Sequence, residues 1–132
     1  MIKGNCLCGE VHYEFNGSIT EVALCHCDQC KRAQGAPFAS NAPVPLANFN
    51  LTQGVQSLQT YLSSPNKKRV FCRTCGSPIY SQRTDMPEVI RLRLGTVTQG
   101  DIPEISYEIF CESKADWFQQ DTKRPCYAQH KP

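Results

Sequence analysis

Apolar and polar residues take turns along much of this chain. Val11, Tyr13 and Phe15 interleave with His12 and Glu14, and Ile105, Tyr107, Ile109 and Cys111 interleave with Ser106, Glu108 and Phe110. A period of two belongs to a half-buried strand, whose successive side chains point to opposite faces. Further strand candidates lie at residues 21–25, 38–44, 57–62, 68–72, 78–82 and 89–94, with turn-forming residues at 16–17, 53–54, 63–66 and 98–101 between them. The pattern predicts about eight short strands in a mostly β, antiparallel fold. Helix is reduced to one or two turns. Asp28 can cap a turn through Lys31 to Gln34 that Gly35 stops, and Pro45 to Phe49 can form another.

A length of 132 residues suits a single domain. Residues 1–120 are expected to form it, and residues 121–132 to make a loosely held C-terminal tail. With 20% charged residues and a net charge of +2, the composition is that of a globular protein, without the polarity that marks disorder. No nucleic-acid partner is expected, because the largest basic cluster, Lys67, Lys68 and Arg69, is short and lacks interleaved aromatics. No membrane partner is expected either: no apolar run reaches the length of a span, and the opening MIKGNCLCGEV lacks a secretion signal. These features predict a cytoplasmic protein, in which clustered cysteines point to metal or redox chemistry rather than to disulfides.

Seven of the nine cysteines are clustered: Cys6 with Cys8, then Cys25, Cys27 and Cys30 within CHCDQC, then Cys72 with Cys75. Two clusters end in glycine, as CLCG and CRTCG, and glycine permits the sharp bend that turns backbone amides toward metal-bound sulfurs. A CxC or CxxC knuckle supplies two ligands, and two knuckles close one tetrahedral Zn²⁺ site with sulfurs at about 2.3 Å. Cys6, Cys8, Cys72 and Cys75 are therefore assigned to a structural zinc that joins parts of the chain more than 60 residues apart.

CHCDQC offers only three sulfurs. In an extended segment His26 projects away from Cys25 and Cys27, so it reads as a surface or supporting histidine rather than the fourth ligand. His12 on the outer face of a strand and His130 in the tail are weaker candidates still. Cys111 is in phase with the apolar face of its strand and is expected in the core, with Cys126 a bystander. The second zinc, at Cys25, Cys27 and Cys30, then keeps an open position, as catalytic zinc does. A soft thiol suits that position; bound as thiolate, it would be poised to attack an aldehyde carbonyl. Cys25, Cys27 and Cys30 are thus the candidate catalytic centre. The alternative is a second structural zinc completed by water or another ligand.

The segments KGNCLCGEVHYEF, CHCDQCKRAQGAPF, FCRTCGSPIY and ESKADWF, in that order, resemble the glutathione-dependent formaldehyde-activating enzyme family, which includes S-(hydroxymethyl)glutathione synthase and the centromere protein V group. The resemblance runs from about Lys3 to Phe118. It implies a β-tent type fold of antiparallel sheets, zinc at both cysteine groups, and a carbon-sulfur lyase activity that joins glutathione to formaldehyde. The chain departs from the family pattern at Glu108, where members often carry His, at Asp116, where Pro often precedes the Trp, and in the order of Lys31 and Arg32.

On this reading the partner is a small thiol such as glutathione. Lys31 and Arg32 are candidate anchors for its carboxylates, and Phe38, Trp117 and Phe118 candidate walls of its pocket. Two other readings compete: a zinc-stapled binding module without catalysis, and a thiol redox sensor that releases zinc on oxidation.

Overall fold

Strands dominate the computed structural model, which describes residues 1–119 and 123–132. In chain order they are β1 (Ile2–Asn5), β2 (His12–Phe15), β3 (Ala23–Cys25), β4 (Ala39–Pro45), β5 (Phe49–Gln53), β6 (Leu58–Ser64), β7 (Lys67–Cys72), β8 (Pro78–Arg83), β9 (Val89–Arg93), β10 (Val97–Gln99) and β11 (Tyr107–Ile109). One helix, α1 (Asp28–Gln34), follows β3, and the turn expected after Pro45 is a short 3-10 segment at Leu46–Asn48. The N-cap of α1 is Cys27, whose sulfur accepts from the Cys30 amide; Gly35 ends the helix in the left-handed region.

The strands form two sheets. A four-stranded sheet has the order β10-β1-β2-β5, and a seven-stranded sheet the order β11-β3-β4-β9-β8-β7-β6. The expected mostly β architecture is present. Every strand pair is antiparallel except β11 with β3, which run parallel in the register Tyr107↔Ala23 and Ile109↔Cys25.

The inner faces of the sheets share one core. Tyr13 and Phe15 of β2 meet Ala42 and Val44 of β4 and Ile90 and Leu92 of β9. Phe49 bridges the sheets, with its ring 5.2 Å from Tyr13 and 5.5 Å from Tyr80. Cys6 and Cys72 belong to this core, whereas Cys25, Cys30 and Ala39 form a separate cluster.

β1, β5 and β10 were not apparent in the pattern. They are short, and β10 overlaps a stretch that reads as turn; pairing with β1 in the register Gly4↔Val97 makes it a strand. β11 reverses its expected faces. Glu108 is fully buried while Tyr107 and Ile109 are only partly so, because the interior offers that carboxylate partners of its own.

The C-terminal segment is held, not loose. It lies beside β11, where the Glu108 amide donates to Pro125, the Tyr127 amide to Glu108, and the Cys111 amide to Tyr127, at 2.9, 2.9 and 3.0 Å. There Cys111 and Cys126, 15 residues apart, form a disulfide with their Cα atoms 6.1 Å apart. This corrects the readings of Cys111 as core and Cys126 as bystander. A partner brought alongside by a returning tail leaves no trace in the periodicity of β11.

Candidate functional site

The knuckles before Gly9 and Gly76 carry one cysteine group. Both glycines adopt positive φ, 81° and 80°. The bends direct polar groups at the sulfurs: the Val11 amide donates to Cys6 Sγ at 3.3 Å, and Ser77 Oγ lies 3.3 Å from Cys75 Sγ. Cys6, Cys8, Cys72 and Cys75 converge with all four sulfurs within 4.8 Å of one another. The Cys6–Cys8 and Cys8–Cys72 separations are 3.6 and 3.8 Å. A tetrahedral thiolate site with metal–sulfur bonds near 2.3 Å has sulfur–sulfur edges of about 3.8 Å. The group therefore fits a tetrahedral metal. Glu10 braces the loop by accepting from Ser57 Oγ (2.6 Å) and Thr74 Oγ1 (2.9 Å), and these bonds hold its carboxyl below the usual range.

The second group is Cys25, Cys27 and Cys30, again with sulfurs within 4.8 Å of one another. Cys25 ends β3, Cys27 caps α1 and Cys30 lies in its first turn, so the strand-to-helix junction sets the geometry. Among the described residues no further His, Cys, Asp or Glu joins this trio as a ligand. Hydrogen bonds from Cys25 and Cys27 hold the Cys30 thiol far below the usual range, with Lys67 and Arg93 adding positive charge against the cost of burial. The guanidinium of Arg69 sits beside it, with Nη2 and Nη1 at 3.7 and 3.8 Å from Cys30 Sγ. Either group could hold a metal ion.

His26 is not on the surface. It is fully buried, its Nε2 lies 2.6 Å from Glu108 Oε1, and its Nδ1 lies 3.3 Å from the Pro37 carbonyl. Arg124 Nε donates to the other Glu108 oxygen at 3.1 Å. His26, Glu108 and Arg124 thus tie the backbone between Cys25 and Cys27 to β11 and to the C-terminal segment. Glu108 stood out in the sequence only as a departure from the family pattern.

Cys25 and Cys27 open onto a cavity of about 610 Å³. Its wall is strongly cationic: Lys67, Arg69, Arg83, Arg91 and Lys131 line it, with Asp28 as the acidic lining residue. His130, read as a weak ligand candidate, also lines it, edge-on to Phe110 at 4.9 Å. Burial lowers the pKa of Lys67 and Arg91 and pulls that of Arg93 down to about 10, while the sulfur of Cys30 opposes it in each case.

Lys31, Arg32 and Trp117 lie elsewhere. They line a neighbouring groove of about 510 Å³, and the groove and the cavity share Asp28. Lys31 Nζ is occupied there, donating to the Ser113 carbonyl at 2.6 Å and pairing with Asp28 at 3.1 Å. Trp117 is 75% exposed. Phe38 packs edge-on between His26 and Phe118, at 5.9 and 5.5 Å, and does not line the cavity. Of the cations that do face the cavity, only Lys67 and Arg69 were singled out in the sequence, as part of a short basic cluster.

Two sheets joined by a shared core, with one four-cysteine and one three-cysteine group, define a mostly β protein whose cysteine groups could each hold a metal ion. The chain belongs to the glutathione-dependent formaldehyde-activating enzyme family, whose model matches residues 1–113. An uncharacterised lyase of Schizosaccharomyces pombe (strain 972 / ATCC 24843) is 28% identical over 83 residues, 63% of this chain; the match spans 58% of that protein's length. A crystal structure of a Rhodobacter sphaeroides protein shares the fold, with a TM-score of 0.64 and 24% identity, covering 95% of this chain and 98% of the other. No described helix is long and apolar enough to cross a membrane.

Proposed function

We propose that this chain is a zinc-dependent carbon-sulfur lyase with two Zn²⁺ per chain, joining a small thiol such as glutathione to a small aldehyde such as formaldehyde, or separating them. The observation that carries the reading is the three-cysteine group, two of whose members, Cys25 and Cys27, line a cation-rich cavity, with no fourth protein ligand among the described residues. The family and the lyase relative support the reaction class. Zn²⁺ at Cys25, Cys27 and Cys30 would supply Lewis acidity that lowers the pKa of an entering thiol.

The chain's own residues do the rest. Arg69 offsets the charge of the Cys30 thiolate, and Lys67 and Arg91 present positive charge along the entry path of an anionic thiol. The thiolate sulfur attacks the carbonyl carbon, a carbon-sulfur bond forms, and the carbonyl electron pair moves to oxygen, which takes a proton from water. The reverse step returns both reactants.

The test is metal content and thiol response. Wild type should hold two zinc ions and Cys27→Ala one. In cobalt-substituted protein, glutathione should shift the thiolate charge-transfer bands of wild type and leave those of Cys27→Ala unchanged. Silence in wild type would overturn the proposal.

A further inference from the structure

The seven-stranded sheet has two unlike faces. One carries Ala42, Val44, Ile90 and Leu92 into the core. Residues directly opposite in register share a face, and on the other face the pairs Lys67↔Arg83, Arg69↔Ser81 and Ser81↔Arg91 place four cations around one serine. Such a concentration of like charge is costly unless something anionic meets it.

The cysteine trio accounts for part of that charge. Arg69 is satisfied by Cys30 Sγ and by Ser63 Oγ, to which its Nε donates at 2.9 Å. Arg83 is held by Asp85 through bonds of 2.9 and 2.7 Å. Lys67 and Arg91 have no carboxylate within ion-pair distance among the described residues. Two side-chain polar atoms are both buried and without a hydrogen-bond partner among the described residues: Arg91 Nη1 and Ser81 Oγ. They belong to cross-strand neighbours, and Ser81 is fully buried. Unmet buried donors in native proteins call for a ligand or water to complete them.

We infer that Lys67 and Arg91, with Arg83 at their side, form an anion site in the cavity that receives a doubly charged arm of the thiol substrate, a phosphate monoester or a dicarboxylate. The inference rests on the proposed function for the position of the sulfur. Glutathione carries an ammonium that cancels one of its two carboxylates, and so answers this wall less well than a dianion without one. Arginine suits the geometry, because its fork binds the oxygens of either group in pairs.

The probes are 2-mercaptoethanol, 2-mercaptoethyl phosphate and mercaptosuccinate, titrated into the cobalt-substituted protein, with inorganic phosphate titrated separately by calorimetry. At least one dianionic thiol should bind the wild type about tenfold or more tightly than mercaptoethanol, and the better of the two identifies the arm as phosphate or dicarboxylate. In Arg91→Gln and Lys67→Gln that advantage should shrink to about threefold or less, with both metals retained. Equal binding of all three thiols would overturn the anion site and leave the proposed function standing. Phosphate binding that needs Arg91, without a response to any thiol, would do the reverse. Loss of the trio's metal in both variants would also overturn the site, since these cations would then serve only to balance the cysteines.

Discussion

The two cysteine groups use one kind of ligand in opposite settings. Cys6, Cys8, Cys72 and Cys75 come from distant parts of the chain, and two of their sulfurs lie within the common core. Cys25, Cys27 and Cys30 come from a single strand-to-helix junction outside that core, and Cys25 and Cys27 face a cationic cavity. Ligand type alone does not distinguish a brace from a reactive centre. What distinguishes them is which parts of the chain the ligands join, and whether anything other than protein can approach.

Removing a ligand from the first group should produce the largest effect. Cys72→Ser should lose its metal and its fold together, because binding energy at such sites, on the order of 10 kcal/mol, is folding energy. Circular dichroism and metal analysis test this, and a folded Cys72→Ser protein would erase the contrast between the groups. Glu108→Ala should cost about 4 kcal/mol in urea unfolding, since it strips the buried His26 and the nearby Arg124 of their shared carboxylate. The four-cysteine metal should stay bound; its loss would show that the two regions are coupled.

Cys126→Ser should cost about 3 kcal/mol from loop-closure entropy across 15 residues. Proteolysis should then reach the C-terminal segment first, and unchanged resistance would show that the hydrogen bonds along β11 suffice. The smallest effect concerns Glu10. Its carboxyl is held below the ordinary range by hydrogen bonds from Ser57 and Thr74, so its stabilisation is present above the unfolded value and lost as pH falls through the folded one. The melting temperature of Glu10→Gln should lie below that of wild type at neutral pH, and the gap should narrow on acidification. A gap that does not change with pH would mean that Glu10 acts through packing.

The sequence made the local features plain. The strand candidates coincide with β2 to β4 and β6 to β9, spacing grouped the seven cysteines, and Gly35 marked the end of α1, although its N-cap is Cys27 rather than the expected Asp28. What it concealed depends on distant neighbours. A strand pattern separates two faces without saying what each face meets, so Arg91 passed as part of a strand candidate and Lys67 with Arg69 as a short basic cluster. β11 appeared to have its apolar side inward until a histidine and an arginine from elsewhere supplied a reason to bury Glu108. Lys31 and Arg32 directly follow the trio in sequence and Trp117 lies in the last segment, ESKADWF, yet all three line a different groove.

The disulfide changes how the odd number of sulfurs is understood. Nine cysteines divide into a quartet, a trio and a covalent pair, with no thiol unassigned. Stripped of metal and denatured without reductant, the chain should titrate as seven free thiols. On the proposed reading, the tenth sulfur, which would make the trio a second quartet, arrives from solution and leaves with the product.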